Sequence, residues 1–232
     1  MTLSIDDRVL DNPAWPALTG PHAALARRRG QAARYHDGVS PFAALADERD
    51  PRCWADLARL AAPGDRLLLT GLATTPPPGW EVVLNLPGVQ LVGSTVDGVA
   101  DPEAEPLAPA DVPEMLDLVE RARPGPFAAR TIEMGSYLGI RRDGRLVAMA
   151  GERLRPTGFT EISAVCTDPA LRGQGLAGRL TRAVAAGIQA RGEIPFLHAA
   201  AENTNAIRLY RSLGFALRRH TTFQVLTPSQ ED

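Results

Sequence analysis

A strand, a glycine-rich turn and a helix follow one another between residues 161 and 192, and this unit constrains the fold more than any other part of the chain. Residues 161–167 (EISAVCT) are mostly apolar, which predicts a buried strand. Beyond the turn, apolar residues recur every four positions and form the stripe of an amphipathic helix, at Leu176, Leu180, Val184 and Ile188. Gly192 is well placed to end this helix. The unit predicts an α/β fold in which the helix packs on a sheet.

The turn between strand and helix predicts a binding site for a pyrophosphate. Its residues are Arg172, Gly173, Gln174, Gly175, Leu176 and Ala177. Backbone N–H groups at such a turn point together at the positive end of the helix dipole. Glycine is required because a Cβ would keep phosphate oxygens away from the backbone. Arg172 adds a charge-assisted contact.

A nicotinamide dinucleotide is an alternative ligand for the same turn. Gly173, Gly175 and Gly178 satisfy the fingerprint G-x-G-x-x-G, which by itself is a weak signal. In a dinucleotide site the strand runs almost directly into the first glycine, whereas five residues, 168–172, intervene here. Too few strands follow the turn for a doubly wound sheet. A P-loop is excluded because no lysine follows the glycines.

The rest of the second half alternates between helical and strand patterns. Asp143-Gly144 lies between two apolar runs, which is a strong signal for a hairpin. The predicted elements are helices at 112–122 and 203–213 and strands at 136–140, 145–150, 195–199 and 215–226, the last as one or two strands. Together they predict an α/β fold with an α+β mixed sheet.

The first half carries weaker patterns, and a predicted linker separates it from the second. Residues 97–113 are rich in proline, alanine and acids and have no apolar period. We therefore predict two domains: residues 1–100, an N-terminal α/β region of unclear role, and residues 105–232. In the first, helices are expected at 22–35 and 51–62 and short strands at 66–72 and 81–84. No catalytic motif stands out there.

Composition and charge exclude several classes of function. The net charge of −2 gives no electrostatic footprint for nucleic acid. The chain contains no run of 18 apolar residues that could span a membrane, and no signal peptide is expected. We therefore expect a cytoplasmic protein. Cys53 and Cys166 have no metal-ligand spacing, and the four histidines are scattered, so no metal site is expected. All 25 basic residues are arginine.

Two motifs in the second half resemble those of the GNAT superfamily of acyl-CoA N-acyltransferases. The strand AVCTDP followed by RGQGLA is similar to the family's R/Q-x-x-G-x-G/A acyl-CoA signature. Residues 203–215, Asn-Thr-Asn-Ala-Ile-Arg-Leu-Tyr-Arg-Ser-Leu-Gly-Phe, resemble N-x-x-A-x-x-L-Y-x-x-x-G-F. The resemblance covers about residues 107–226, half of the chain. Each motif is moderately specific, and their order and spacing together make the resemblance strong.

The resemblance implies that the cosubstrate is acetyl-CoA and gives a role to each motif. The central strand splays from its neighbour, and its free backbone groups at Val165, Cys166 and Thr167 would pair with the pantetheine arm. The amides of 172–177 would hold the pyrophosphate, and Asn203 and Ala206 would contact the pantetheine side. Tyr210 would protonate the leaving thiolate. A backbone N–H near Val165 would polarise the acetyl carbonyl.

The proton acceptor and the acetyl acceptor stay open at this point. Glu161 on the central strand or Glu152 on the preceding one would take the proton from the amine, directly or through water. Glu133 and Tyr137 are expected to border the acceptor side. The expected activity is N-acetyl transfer to a primary amine by direct attack in a ternary complex. The expected acceptor is a small molecule or peptide that carries the amine, and a homodimer is left open.

Three other interpretations also remain. The protein would be a non-catalytic acyl-CoA sensor, an acyltransferase for longer chains, or the nicotinamide enzyme considered above. The N-terminal region is compatible with a diverged second copy of the same fold, as in two-domain relatives similar to glycine N-acyltransferases.

Overall fold

The computed structural model describes residues 6–229, which form one large mixed sheet, one small sheet and five α-helices. The strands are β1 (Ala26–Arg29), β2 (Ala32–Tyr35), β3 (Ala43–Leu45), β4 (Leu67–Thr70), β5 (Trp80–Val92), β6 (Glu105–Pro106), β7 (Tyr137–Arg142), β8 (Arg145–Glu152), β9 (Phe159–Thr167), β10 (Ile194–Ala200) and β11 (Ala216–Pro228). The helices are α1 (Ala14–Thr19), α2 (Pro51–Ala58), α3 (Val112–Ala122), α4 (Leu176–Ala190) and α5 (Thr204–Ser212). All the predicted elements of the second half are confirmed, with ends that differ by one or two residues.

The large sheet has the order β4-β11-β5-β10-β9-β8-β7-β6. Strands β9 and β10 run parallel because helix α4 connects them, and the other neighbours are antiparallel. The predicted α/β fold with a mixed sheet is therefore confirmed.

Strand β5 comes from the first half of the chain but lies inside the sheet of the second half. It pairs with β10 on one edge and with β11 on the other. The short strand β4 then pairs with β11 at the sheet's end. The large sheet is thus continuous across the predicted boundary at residues 100–105. The remaining strands of the first half, β1 to β3, form a separate antiparallel sheet, an arrangement that does not repeat the second half.

Each face of the large sheet is covered by different elements. The apolar stripe of α4 packs on one face, where Leu180, Val184 and Ile188 are buried. On the other face lie α3, with Met115 and Leu118, and the N-terminal region. Residues of α1, β2 and β3 cover Phe159 of β9 and Phe196 of β10. The N-terminal region therefore closes one face of the central strands.

Two sequence predictions were wrong. Residues 22–35 do not form a helix, because Gly30, with a φ of +48°, turns the chain between β1 and β2. Residues 97–113 are not a free linker. Asp101 forms an ion pair with Arg179 at 2.6 Å, and β6 pairs with β7. Charged residues hold this segment against the domain, so its lack of apolar period was misleading. Within the described residues, no helix is both long and apolar enough to cross a membrane.

Candidate active site

Strands β9 and β10 separate in the middle of the sheet, as the resemblance implies. Their pairing runs from Phe159↔Ile194 to Ile162↔Leu197 and then stops. Beyond this point β9 pairs only with β8, through a bulge between Met149 and Gly151. The extra residue of the bulge is on β9, where Ala164 has a left-handed φ of +52°, which costs a non-glycine residue about 1–2 kcal/mol. The β9 edge that faces β10 is left without a strand partner from residue 163 onward.

The glycine turn presents free backbone amides at the carboxyl end of β9. Gly173 and Gly175 have φ values of +83° and +76°, and a Cβ on either would meet no atom within 4 Å. Glycine is therefore required by the backbone conformation, and the space in front of the turn is open. No side chain caps α4. Within residues 6–229, no protein group accepts a hydrogen bond from the amides of 172–178, and Arg179 is the first to donate, to Gly175 at 3.1 Å.

A cavity of about 340 Å³ opens beside the turn, between α4 and α5. It is lined by Gly175, Gly178, Arg179, Arg182, Leu209 and Leu213, together with residues 99–101. A molecule held by the turn has room to continue between the two helices.

Thr167, at the end of β9, has a buried hydroxyl without a hydrogen-bond partner. Buried hydroxyls usually have one, so this oxygen is available to a ligand in the cleft. The orphan hydroxyl, the free amides and the splayed strand together fit a pantetheine arm and its pyrophosphate.

Cys166, the residue before Thr167, is a buried free thiol, and burial raises its pKa to about 12. It packs as an apolar side chain.

Tyr210 of α5 is buried in the core on the α4 side of the sheet, where only 8% of its surface is exposed. Its ring packs edge-on against Phe215, at 6.0 Å between centroids. Burial raises the pKa of Tyr210 to about 12, and the neighbouring Cys166 makes a smaller contribution to this rise. The phenol therefore stays protonated at neutral pH and can donate a proton.

Asn203 caps the start of α5. Its Oδ1 accepts from the backbone N–H of Ala206 at 3.1 Å. Its amide nitrogen makes no protein hydrogen bond among the described residues, and the residue is exposed. Ala206 is half-buried against the α4 side of the core. Both residues lie on the helix that carries Tyr210.

Glu161 is buried, with no exposed surface, inside an ion-pair cluster. Arg153 donates to both of its oxygens, at 2.8 and 2.6 Å, and His198 Nδ1 lies 2.6 Å from Oε1. Burial by itself would raise the pKa of Glu161, but Arg153 and His198 outweigh it and lower the pKa to about 2. A carboxylate with this pKa is a poor proton acceptor at neutral pH.

Glu152, the other predicted base, lies on the opposite face of the sheet. Its Oε1 accepts from Arg191, just after α4, at 2.8 Å. Its Oε2 accepts from the backbone N–H of Ser136 at 3.4 Å. The structure therefore does not bring the two predicted carboxylates together. Glu133 lies at the surface in an exposed ion pair with Arg130, at 2.7 Å.

The overall architecture matches a solved structure over nearly its whole length. The crystal structure of a protein from Novosphingobium aromaticivorans DSM 12444, described as an acetyltransferase of the GNAT family, is 44% identical. The alignment covers 95% of this chain and 99% of that one, with a TM-score of 0.88. This chain belongs to the GNAT family. It is an acyltransferase of the GNAT type, and the nicotinamide alternative is wrong.

Other comparisons agree with this assignment. A GCN5-related N-acetyltransferase from Kribbella flavida has a TM-score of 0.66 at 19% identity and shares the fold, with 99% of this chain and 98% of that one covered. The family described as FR47-like protein matches residues 137–224. The N-alpha-acetyltransferase RimI of Mycobacterium tuberculosis is 38% identical over 99 residues, which are 40% of this chain and 61% of RimI. The chain thus matches less than two thirds of this curated relative.

Sequence reasoning missed two residues of the candidate site, Arg153 and His198. Both are polar groups that contact Glu161, which stands in an apolar strand. A buried carboxylate needs a counter-charge, and the turn between β8 and β9 places Arg153 beside Glu161, where its amide donates to the Glu161 carbonyl at 2.9 Å. The charged Glu161 in an apolar strand was therefore the sequence signal that could have revealed Arg153. His198 could not be found in this way because its contact depends on the parallel pairing of β10 with β9.

Proposed function

We propose that this GNAT protein transfers an acetyl group from acetyl-CoA to a primary amine by direct attack in a ternary complex. The observation that supports this most is the conjunction of three features around one cleft. These are the splayed β9 edge, the turn with its free amides, and a protonated tyrosine on α5. Bound acetyl-CoA would supply an activated thioester, and the protein's residues bind, orient and move protons.

The glycine turn and the strand edge do the binding. The amides of 172–177 donate hydrogen bonds to the pyrophosphate oxygens at the positive end of α4, and Arg172 adds a positive charge. The free backbone groups of Val165, Cys166 and Thr167 pair with the pantetheine amides, and the Thr167 hydroxyl gains the partner that it lacks in the free protein. Asn203 donates its side-chain amide from the start of α5.

Tyr210 and the bulge carry the chemistry. Tyr210 gives its proton to the departing sulfur as the carbon–sulfur bond breaks. A phenol with a pKa of about 12 is a weaker acid than a thiol, so the transfer is coupled to the collapse of the tetrahedral intermediate, and the proton that the amine loses returns through water to the phenolate. A backbone N–H near Val165 donates to the carbonyl oxygen, held in place by the strained conformation at Ala164.

The amine proton leaves through water in this proposal. Glu161 is held by Arg153 and His198, and Glu152 is held by Arg191, so each carboxylate already serves an ion pair. The role of Glu161 is then to hold Arg153 and His198 together in a buried cluster on the acceptor side. The name of RimI, an N-alpha-acetyltransferase, makes an α-amine the first acceptor to test. The free, buried cysteines agree with a reducing cytoplasm as the site of action.

The experiment is an amine panel with acetyl-CoA, read by release of free thiol. The panel contains peptides with free N-termini, amino acids, polyamines and simple alkylamines. We expect turnover on at least one class. Tight binding of CoA without turnover on any amine would support the sensor interpretation instead, and competition among acyl-CoAs of different length tests the preference for acetyl.

A further inference from the structure

Tyr137, the first residue of β7, is buried, and its ring is held between two neighbours. Only 2% of its surface is exposed. The ring lies across Gly151 of β8, where a Cβ would overlap it. Phe127 packs edge-on against it, with 5.6 Å between centroids. The hydroxyl at the end of this ring therefore has one defined position.

That hydroxyl has no hydrogen-bond partner, although it is fully buried. The carboxylates whose charges act on Tyr137 are engaged elsewhere, Glu161 by Arg153 and His198 and Glu152 by Arg191 and Ser136. Burial raises the pKa of Tyr137, so the phenol keeps its proton and is a donor. An unmade hydrogen bond is costly in a folded protein and is rare in native structures. The ring alone would fill this space equally well as phenylalanine.

The strand pairing around Tyr137 shows where its unpaired hydroxyl lies relative to the cleft. Gly151, under the ring, pairs with Ser163 of β9, which is the first residue beyond the point where β9 and β10 separate. Tyr137 lies in the cluster on the face opposite α4, with α3 and Phe127. This is the face on which Glu161 and Arg153 lie. The hydroxyl is thus on the acceptor side of the reacting strand.

We infer that the Tyr137 hydroxyl donates a hydrogen bond to a carbonyl oxygen of the acceptor, next to the amine that is acetylated. The inference rests on the proposed function and names its substrate class. An α-amine of a peptide or amino acid amide has a carbonyl two bonds from the nitrogen. An alkylamine has only hydrocarbon there and leaves the phenol unpaired, which selects against it.

The test compares alaninamide with isopropylamine, which differ in the carboxamide that replaces one methyl group. We expect Tyr137→Phe to lower kcat/KM about tenfold for alaninamide and to leave it unchanged for isopropylamine. Comparing variant with wild type for each acceptor cancels the difference between the two amine pKa values. Equal losses, or no loss with alaninamide, would overturn the inference while the proposed function stands. Wild type that acetylates neither acceptor also overturns it, and the amine panel then decides the proposed function separately.

Tyr35→Phe is the matched control. Tyr35 is also fully buried, but its hydroxyl has a partner, His22 Nδ1 at 2.8 Å. We expect Tyr35→Phe to lower the melting temperature by about 2–4 °C and to keep the ratio between the two acceptors. Tyr137→Phe should leave the melting temperature unchanged or raise it, because it removes an unpaired group. A drop equal to that of Tyr35→Phe would mean that the Tyr137 hydroxyl has a protein partner, and the inference would fail.

Discussion

Glu161 is the residue whose environment departs most from what its type predicts, because it is a charged group in the middle of an apolar strand. Replacing it by glutamine leaves Arg153 buried without its counter-ion, which typically costs roughly 3–5 kcal/mol. We expect Glu161→Gln to lower the free energy of unfolding by about this amount, measured by urea denaturation. Glu133→Gln is the control: it breaks an exposed ion pair with Arg130 and should cost less than about 1 kcal/mol.

The ion pair between Glu161 and Arg153 also makes the free energy of unfolding depend on pH in the acidic range. The pKa of Glu161 falls from 4.5 to about 2 on folding, so its contribution is fully present above pH 4.5 and is lost as the pH falls toward 2. We expect the unfolding free energy of the wild type to fall more steeply across this interval than that of Glu161→Gln. Parallel curves for the two proteins would contradict the assigned pKa.

Tyr210→Phe tests the proposed proton donor. Loss of a general acid typically costs a factor of about 10²–10⁴, so we expect kcat to fall at least a hundredfold. The affinity for CoA, measured by calorimetry, should change less than about twofold because the hydroxyl is not part of the pyrophosphate site. Unchanged turnover would remove Tyr210 from the acid role.

The pH dependence of kcat/KM tests whether the enzyme supplies a base. If the amine proton leaves through water, the acidic limb should follow the pKa of each acceptor amine. For acceptors whose amines have different pKa values, the acidic limbs would be displaced from one another by the difference in pKa. A limb that stays at one pH for every acceptor would identify a base on the protein and return Glu161 and Glu152 to that role.

Among the elements, the turn before α4 is the one whose backbone conformation is tied to binding. Gly175→Ala places a Cβ in open space but forces alanine into a φ of +76°. Gly192, after α4, has a φ of +75° and equally open surroundings, which makes Gly192→Ala a matched control for strain. We expect similar losses of stability, of about 1 kcal/mol, and at least a tenfold weaker affinity for CoA in Gly175→Ala alone. Equal affinities would contradict the binding role of the turn.

The elements also show what the sequence could and could not predict. Strong periodicity placed α3, α4 and the strands of the hairpin β7–β8 within a residue or two. The glycine turn and the Tyr210 helix were predicted because their residue types are tied to a local backbone shape. The hairpin β1–β2 was missed because its alanines and arginines suit a helix, and burial under tertiary contacts decides their conformation. The segment 97–113 was misread because ion pairs, which have no period, hold it in place.

At the scale of the whole molecule, the sheet depends on strands from both halves of the chain. A fragment of residues 105–232 lacks β5, so β10 and β11 lose the strand that joins them. We expect this fragment alone to be insoluble or unfolded by circular dichroism. Co-expression with residues 1–104 should restore a folded complex that binds CoA. A fragment that folds and binds CoA by itself would support residues 105–232 as an independent domain, as predicted from the sequence.

The position of β5 also matters while the chain is being made. This strand leaves the ribosome well before β10 and β11, between which it belongs, and Val82, Val83 and Leu84 remain exposed even in the finished fold. Until its neighbours are synthesised, β5 offers an apolar strand with two free edges to any other nascent chain. The yield of folded protein on expression or refolding therefore depends on the concentration of the unfolded polypeptide and on the chaperones that bind it.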